Sequence, residues 1–142
     1  MEDKSLSFEF RILRMTMLVG AIYDLVFGVP ILLFPARLAP LINLAMPKEE
    51  IYLRLCGVFL IMVAFFYYLA FRDLERYLGN VAVAIVGRGL GAFFFFIFYF
   101  FLHYPKTFFL LGLVDLTFAV IHFLFLREEG RSLFIPLLLG RR

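Results

Sequence analysis

Four long apolar runs occupy most of this 142-residue chain, at residues 12–34, 52–71, 81–104 and 107–126. A helix of about 20 apolar residues crosses the hydrocarbon core of a bilayer, so each run is long enough to span a membrane. Short connections favour antiparallel neighbours. Pro35, Pro40 and Pro47 are expected to keep the first connection irregular, because proline disfavours regular helix. The sequence therefore predicts an all-α integral membrane protein: one domain, residues 1–142, folded as an antiparallel four-helix transmembrane bundle. Residues 127–142 are too short to cross the bilayer and are expected to form an interfacial tail.

Composition excludes several classes of function. Hydrophobic residues make up 64% of the chain, with 21 phenylalanines, whereas a soluble domain has roughly 45–50% apolar residues. The runs leave no length for a separate soluble catalytic domain. The net charge of +3 comes from basic residues near span ends, as expected for membrane anchoring, and no nucleic acid partner is predicted. The single cysteine, Cys56, excludes an intrachain disulfide and CxxC chemistry.

The distribution of lysine and arginine predicts the orientation. Cytoplasmic loops of membrane proteins carry an excess of these residues. The N-terminus, the second loop and the tail contain most of them, so we expect both termini in the cytoplasm. The residues on that side are Lys4, Arg11, Arg14, Arg72, Arg76, Arg127, Arg131, Arg141 and Arg142, and those on the other side are Arg37, Lys48, Arg54 and Lys106.

Each apolar run contains an ionisable residue, and together these form a candidate intramembrane charge network: Asp24, Arg54, Arg88 and Asp115. A charge at the centre of a membrane helix costs roughly 2.5–3.5 kcal/mol on insertion scales, so such residues normally face protein or water. Two pairings are open. Sequential neighbours would pair Asp24 with Arg54 and Arg88 with Asp115. Alternatively, Arg54 reaches outward to Glu49 or Glu50, which leaves the other three as a triad. The charges act either as structural ion pairs or in a ligand or ion pathway.

Small residues share helix faces with these charges. Positions three or four apart lie on one side of a helix, and glycine or alanine there lets membrane helices approach closely. The charged faces are therefore expected to point into the bundle. The predicted helix-packing residues are Gly20, Gly28, Gly57, Ala84, Gly87, Gly91, Ala92, Gly112 and Ala119.

Catalytic and metal sites have little support in the sequence. His122 follows Asp115 by two turns and is a candidate proton relay towards the cytoplasm, or simply a polar residue near a helix end. The histidines and aspartates lack the spacing of a metal site, and no metal or cofactor is predicted. Walker, dinucleotide and Ser-His-Asp patterns are absent, so no enzymatic activity is expected. An apolar cavity for a lipid tail, quinone or pigment could draw polar groups from Tyr23, Asp24, Arg88 and Thr117.

Two strings suggest a family resemblance. They are Tyr23-Asp24-Leu25-x-Phe27-Gly28, followed by Leu32-Leu33-Phe34-Pro35-Ala36, and Tyr52-x-Arg54-Leu55-x-Gly57-Val58-Phe59. These resemble small four-helix membrane proteins of bacteria of the DoxX-like kind, chiefly over the first half of the chain. The resemblance implies a bacterial inner-membrane protein with four helices, and it transfers no catalytic or binding residue.

Three functions remain open from the sequence. The first is a non-catalytic scaffold or accessory subunit. It would bind membrane lipids or another hydrophobic ligand, and would form a homo-oligomer or join a larger membrane complex. The second is a proton- or ion-coupled transporter or channel that uses the buried Asp, Arg and His residues. The third is a small enzyme that modifies a lipid or isoprenoid.

Overall fold

The computed structural model describes residues 8–128 and 131–140. In chain order its elements are α1 (Phe8–Leu33), α2 (Pro35–Leu41), α3 (Glu50–Arg72), α4 (Leu78–Leu102), α5 (Lys106–Phe125), β1 (Arg127–Glu128), β2 (Arg131–Ser132) and α6 (Phe134–Leu138). The prediction of an all-α four-helix bundle is confirmed. The orientation argument also used Lys4, Arg141 and Arg142, which lie outside the described residues.

The four long helices, α1, α3, α4 and α5, are each long and apolar enough to cross a membrane. Much of their outer surface is apolar: Phe93, Phe101 and Leu110 are more than half exposed. Apolar surface on that scale requires an apolar surrounding, which a bilayer supplies. Each long helix begins one to four residues before its predicted span; α3 ends one residue after its span, and the other three end one or two residues before theirs. An apolar run marks only the residues suited to hydrocarbon, whereas a helix can continue into its polar flanks.

Local sequence accounts for the breaks. Asp73 follows α3, and its Oδ1 accepts a hydrogen bond of 3.2 Å from the backbone N–H of Arg76. After α4, His103 adopts a left-handed conformation with φ 54°, which ends the helix, and Pro105 precedes α5. These tight connections make consecutive helices antiparallel.

The connection from α1 to α3 corrects one expectation. Pro35 and Pro40 predicted irregular backbone there, but residues Pro35–Leu41 form the short helix α2. Pro35 lies in the first turn of α2, where backbone N–H groups make no hydrogen bond within the helix. Proline, which lacks this N–H, is therefore compatible with the start of the helix. Thr107, at the start of α5, donates a hydrogen bond of 2.8 Å to the backbone carbonyl of Ile42, just after α2.

The tail folds back onto the bundle. Strands β1 and β2 pair antiparallel, with Arg127 opposite Ser132, and the backbone N–H of Leu133 donates to the carbonyl of Leu126. Phe134 and Leu137 then pack against the core, and α6 contacts α4. The predicted position of this tail at the membrane interface remains a prediction.

The helices pack as two pairs. α1 contacts α3 extensively, and α4 contacts α5 extensively, whereas contact between α3 and α4 is sparse. The first pair meets closely at Gly28 and Gly57: a Cβ on Gly57 would lie 2.8 Å from the Gly28 carbonyl oxygen and 2.7 Å from the Leu32 nitrogen. In the second pair, aromatic rings pack across the interface, such as Phe95 on Phe108 with ring centroids 5.7 Å apart. The sparse contact leaves a gap between α3 and α4.

Candidate functional site

Arg88 is the centre of a buried charged cluster. Its Nη1 donates to Oδ1 of Asp115 at 2.6 Å, its Nη2 donates to Oδ1 of Asp24 at 2.7 Å, and its Nε donates to the Tyr67 hydroxyl at 3.0 Å. The four residues come from all four long helices. Each of the three charged residues is less than a tenth exposed. The cluster therefore ties both helix pairs together through one guanidinium group.

The depth of these residues explains why they meet. Arg88 follows the start of α4 by about 15 Å, and Asp115 precedes the end of α5 by the same distance, at 1.5 Å per residue. Because α4 and α5 are antiparallel, the two side chains lie at one level, near the middle of both helices. Gly91 makes room for this contact, since a Cβ there would lie 2.7 Å from Oδ2 of Asp115.

Aromatic rings surround the guanidinium group. The Arg88 Cζ atom lies 5.2 Å from the ring centroid of Tyr23, 5.3 Å from that of Tyr67 and 5.1 Å from that of Phe118. A desolvated cation over aromatic rings is stabilised by about 2 kcal/mol. Oxygen atoms that accept its hydrogen bonds and aromatic rings thus both contact the guanidinium group.

Tyr67 and Phe118 were not singled out by the sequence reasoning. A signal for Tyr67 was present, because it follows Ala64 and Gly57 at helical spacing and so shares the small-residue face of α3. Its neighbour Tyr68 is exposed and hydrogen-bonded to Arg72 instead. Phe118 had a similar signal, because it follows Asp115 by three positions and so shares its face of α5.

Arg54 does not belong to the cluster, so the pairing of Asp24 with Arg54 is wrong. Its Nη2 binds Oε1 of Glu50 at 2.6 Å on the same helix, and its Nη1 donates to the Leu32 carbonyl at 2.5 Å. Arg54 lies one turn into α3, near the helix end, where a long side chain reaches the interface more easily than the bundle centre. The structure contains the alternative arrangement: Arg54 with Glu50, and a triad of Asp24, Arg88 and Asp115.

The triad carries unequal charge. Two carboxylates face one guanidinium, an excess of one negative charge when all three groups are ionised. Each carboxylate binds Arg88 through Oδ1, and within residues 8–128 and 131–140 the buried Oδ2 of Asp24 has no hydrogen-bond partner. An unpartnered buried carboxylate oxygen is costly, so a proton, a cation or a ligand donor would stabilise this site.

A crevice leads to the triad between α3 and α4. Its volume is about 410 Å³, within the range of small-molecule sites. One wall is a stripe of α4 at helical spacing, the other is a stripe of α3, and the carboxylates of α1 and α5 lie at its inner end. Lining residues are Asp24, Leu60, Val63, Phe66, Tyr67, Asn80, Val83, Ala84, Gly87, Arg88 and Asp115.

The crevice opens to the outside of the bundle. Val83 is 66% exposed and Phe66 is 46% exposed on its two sides, so its mouth faces the region that lipid tails would fill. Towards the start of α4, the side-chain amide of Asn80 donates to the Phe66 carbonyl at 3.2 Å and bridges the two helices. The arrangement is a laterally open apolar groove with a charged inner end.

Most of the predicted packing residues lie in helix contacts. Gly20 is close to the ring of Tyr67, Gly112 is close to Phe96, and Gly28 contacts α3. Ala84, Ala92 and Ala119 are buried. Gly87 is an exception: a Cβ there would meet nothing within 4 Å, so the predicted Gly87-Gly91 packing stripe is wrong at its first position. Gly87 lines the crevice instead, because α4 and α3 diverge there.

His122 and Thr117 have different surroundings. His122 is fully buried, and neither ring nitrogen has a hydrogen bond of standard geometry, although the Thr16 backbone approaches the ring. Its ring centroid is 6.2 Å from that of Tyr67, which places it beside the cluster. Thr117 was expected to serve a cavity; it does not line the crevice between α3 and α4, but it lines a separate groove between α1 and α5, where its hydroxyl donates to the Leu113 carbonyl of its own helix.

Comparisons with known proteins leave the family open. No protein-family model, no curated protein and no solved structure matches the chain. The resemblance to DoxX-like proteins therefore stays a prediction based on the two strings in the first half. Among the described residues, no three His, Cys, Asp or Glu side chains are grouped in a way that could hold a metal ion.

Proposed function

We propose that this protein is a non-catalytic integral membrane protein that binds a hydrophobic molecule in the crevice between α3 and α4. The observation that carries the proposal is the crevice itself: about 410 Å³ of apolar space, open sideways, with polar groups converging at its inner end. Ligand sites typically combine a mostly apolar lining with a few polar groups that fix orientation.

Gly87 supports this function. A glycine at a helix contact permits close packing, but here no atom lies within 4 Å of the position a Cβ would take. The missing side chain widens the crevice one residue before Arg88. A ligand tail would pass Gly87 and Val83 on α4, and Val63 on α3, with its polar end at the triad.

We place the protein in the bacterial inner membrane with both termini in the cytoplasm. The family resemblance supports the bacterial inner membrane as the location, and the distribution of lysine and arginine supports the cytoplasmic position of both termini. As partners we propose membrane lipids and either further copies of the chain or a larger membrane complex. The exposed phenylalanines of α4, among them Phe93 and Phe94, offer an apolar surface for such association.

Native mass spectrometry tests the proposal. The chain is extracted gently from its own membranes, as wild type, as Gly87→Leu and as Gly89→Leu. Gly89 is the matched control, because it lies in the same helix, also has nothing within 4 Å of a Cβ, and does not line the crevice. We expect a bound small molecule on the wild type and Gly89→Leu, and its loss from Gly87→Leu. Equal retention by both variants would refute the crevice as the binding site.

The same spectra record copy number and co-purifying proteins. A stoichiometric partner protein would support an accessory subunit, and a defined multiple of the chain would support a homo-oligomer. A monomer that carries the small molecule would refute both the homo-oligomer and the larger complex, and it would still support the binding function.

A proton- or ion-coupled transporter is the second candidate. The excess negative charge of the triad favours it, together with the fully buried His122 beside Tyr67. Reconstitution in liposomes that contain a pH-sensitive dye separates the two functions. Proton flux that is lost in Asp24→Asn, while the variant remains folded by circular dichroism, would establish transport. Absence of flux in the wild type would leave the binding function.

A further inference from the structure

The charges at the inner end of the crevice select the chemistry of the ligand. We infer that the crevice recognises an amphiphile with a single positive charge, such as a long-chain alkylammonium ion, in preference to neutral or anionic amphiphiles. The inference rests on the proposed binding function, and it concerns the same site.

The first argument is the availability of acceptors. Oδ2 of Asp24 is buried without a partner among the described residues, and Asp115 also uses only Oδ1 for Arg88. Both residues line the crevice. A ligand that reaches the inner end therefore meets carboxylate oxygens, which accept hydrogen bonds and attract a cation.

The second argument is the inaccessibility of the positive charge. Arg88 has five N–H groups, of which three are bound to Asp115, Asp24 and Tyr67. The remaining two belong to nitrogens that already bind a carboxylate, so an anion there would lie beside a negative charge. Three aromatic rings, centred 5.1–5.3 Å from Cζ, surround the guanidinium group. The two carboxylates would thus repel a phosphate or carboxylate head group, and Arg88 has no accessible N–H group to bind it.

The third argument is electrical balance. An excess negative charge in a low-dielectric site is unfavourable until it is neutralised. A monocationic head group brings the inner end of the crevice to zero net charge. The titratable groups that interact with Asp24 are Tyr23, Tyr67, Arg88 and Asp115, and of these only Arg88 carries a fixed positive charge.

The shape of the crevice fits the rest of the molecule. From Asn80 to Arg88 the α4 wall is about 12 Å long, and between these ends Val83, Ala84 and Gly87 present a nearly uninterrupted apolar surface. An alkyl chain lies along this wall with its charged end inward. The lateral opening lets the chain enter from the bilayer without crossing the head-group layer.

Three amphiphiles with the same tail test the inference: dodecylamine, dodecanol and dodecanoic acid at neutral pH. Each is titrated into the purified full-length chain in detergent, and binding is measured from the rise in thermal unfolding temperature that a ligand specific for the folded state produces. We expect dodecylamine to bind at least about tenfold more tightly than the other two, which corresponds to about 1.4 kcal/mol. Wild type, Gly87→Leu and Gly89→Leu are compared.

Charge variants separate the contribution of the carboxylates. Asp24→Asn removes the excess charge but retains a side chain of the same shape, and we expect the preference for dodecylamine to fall by about tenfold or more. Dodecanol binding should change little, which distinguishes loss of charge recognition from loss of the fold. Rescue of the preference by Asp24→Glu would support a role for the carboxylate itself.

The outcomes distinguish this inference from the function on which it rests. Equal or tighter binding of dodecanol or dodecanoic acid, still blocked by Gly87→Leu, would overturn the charge preference and retain the crevice as a binding site. Binding of dodecylamine that is unaffected by Gly87→Leu would overturn both. Failure of all three to bind, while a native molecule is lost from Gly87→Leu in the mass spectra, would overturn only the inference.

Discussion

Arg54 and Arg88 both lie in apolar runs of the sequence, but their surroundings in the structure differ. The Arg88 side chain is 8% exposed, and it joins two carboxylates from other helices. The Arg54 side chain is 39% exposed, and its ion pair with Glu50 is within one helix. Position along the helix decides the difference: Arg54 lies about 6 Å from the start of α3, where a long side chain can reach beyond the helix end, whereas Arg88 lies near the middle of α4.

The two regions also hold their helices together by different forces. Around Arg88, ionic hydrogen bonds and aromatic rings link all four long helices. Around Arg54, the close backbone approach at Gly28 and Gly57, with the hydrogen bond from Arg54 to the Leu32 carbonyl, joins only α1 and α3. The comparison shows that ionic hydrogen bonds link the helices in the interior of this bundle, whereas close backbone packing joins the α1 and α3 pair near one end.

The largest effect is expected for Arg88→Leu, which leaves two buried carboxylates without their partner. Removing one side of a buried ion pair costs about 3–5 kcal/mol. Unfolding by sodium dodecyl sulfate, followed by far-ultraviolet circular dichroism, measures the change. Adding Asp115→Leu should restore part of the loss, because one stranded charge is removed while Asp24 remains. A double variant no more stable than the single one would show that the Arg88 to Asp115 contact does not contribute as described.

Gly57→Ala should be next in size. The added methyl group would lie within 3.0 Å of backbone atoms of Gly28 and Leu32, which cannot rotate away as a side chain can. Overpacking of this kind costs about 1–3 kcal/mol. The same detergent titration applies, with Gly89→Ala as control, because nothing lies within 4 Å of a Cβ there. A Gly57→Ala chain as stable as the control would contradict the close approach.

A smaller loss is expected for Gly91→Ala. Its Cβ would meet Oδ2 of Asp115 at 2.7 Å, a flexible carboxylate that can turn aside at the expense of its contact with Arg88. Alanine also favours the helix by up to about 1 kcal/mol over glycine, which offsets part of the cost. Relative to Gly89→Ala we expect a loss of about 1 kcal/mol. Equal stability of the two variants would mean that the triad tolerates a displaced Asp115.

The smallest effect is expected for Arg54→Leu. Its partner Glu50 is 44% exposed, and exposed ion pairs contribute about 0–1 kcal/mol. Loss of the hydrogen bond to the Leu32 carbonyl adds to this only modestly. The titration should place Arg54→Leu within about 1 kcal/mol of the wild type. A loss as large as that of Arg88→Leu would remove the distinction between the two regions.

The four spans and the fold class were predictable because hydrophobic length is a local property of the chain. The same applies to the inward position of Asp24, Arg88 and Asp115, since the cost of exposing a charge to hydrocarbon does not depend on the fold. The helix α2 was missed because proline was interpreted as a breaker, although it is favourable in the first turn. Gly87 was misassigned because helical spacing identifies a face and does not show whether a neighbour is present.

Sequence alone thus determined that this chain has four segments long and apolar enough to span a membrane, each with an ionisable residue, because hydrophobic length is a property of each segment separately. Only the tertiary structure decided that Arg88 joins Asp24 and Asp115, that Tyr67 completes the cluster and that α3 and α4 diverge into a crevice. Those features depend on which helices are neighbours and how each is rotated about its axis. Packing of small residues and rings across helix interfaces sets both, and no single segment contains that information.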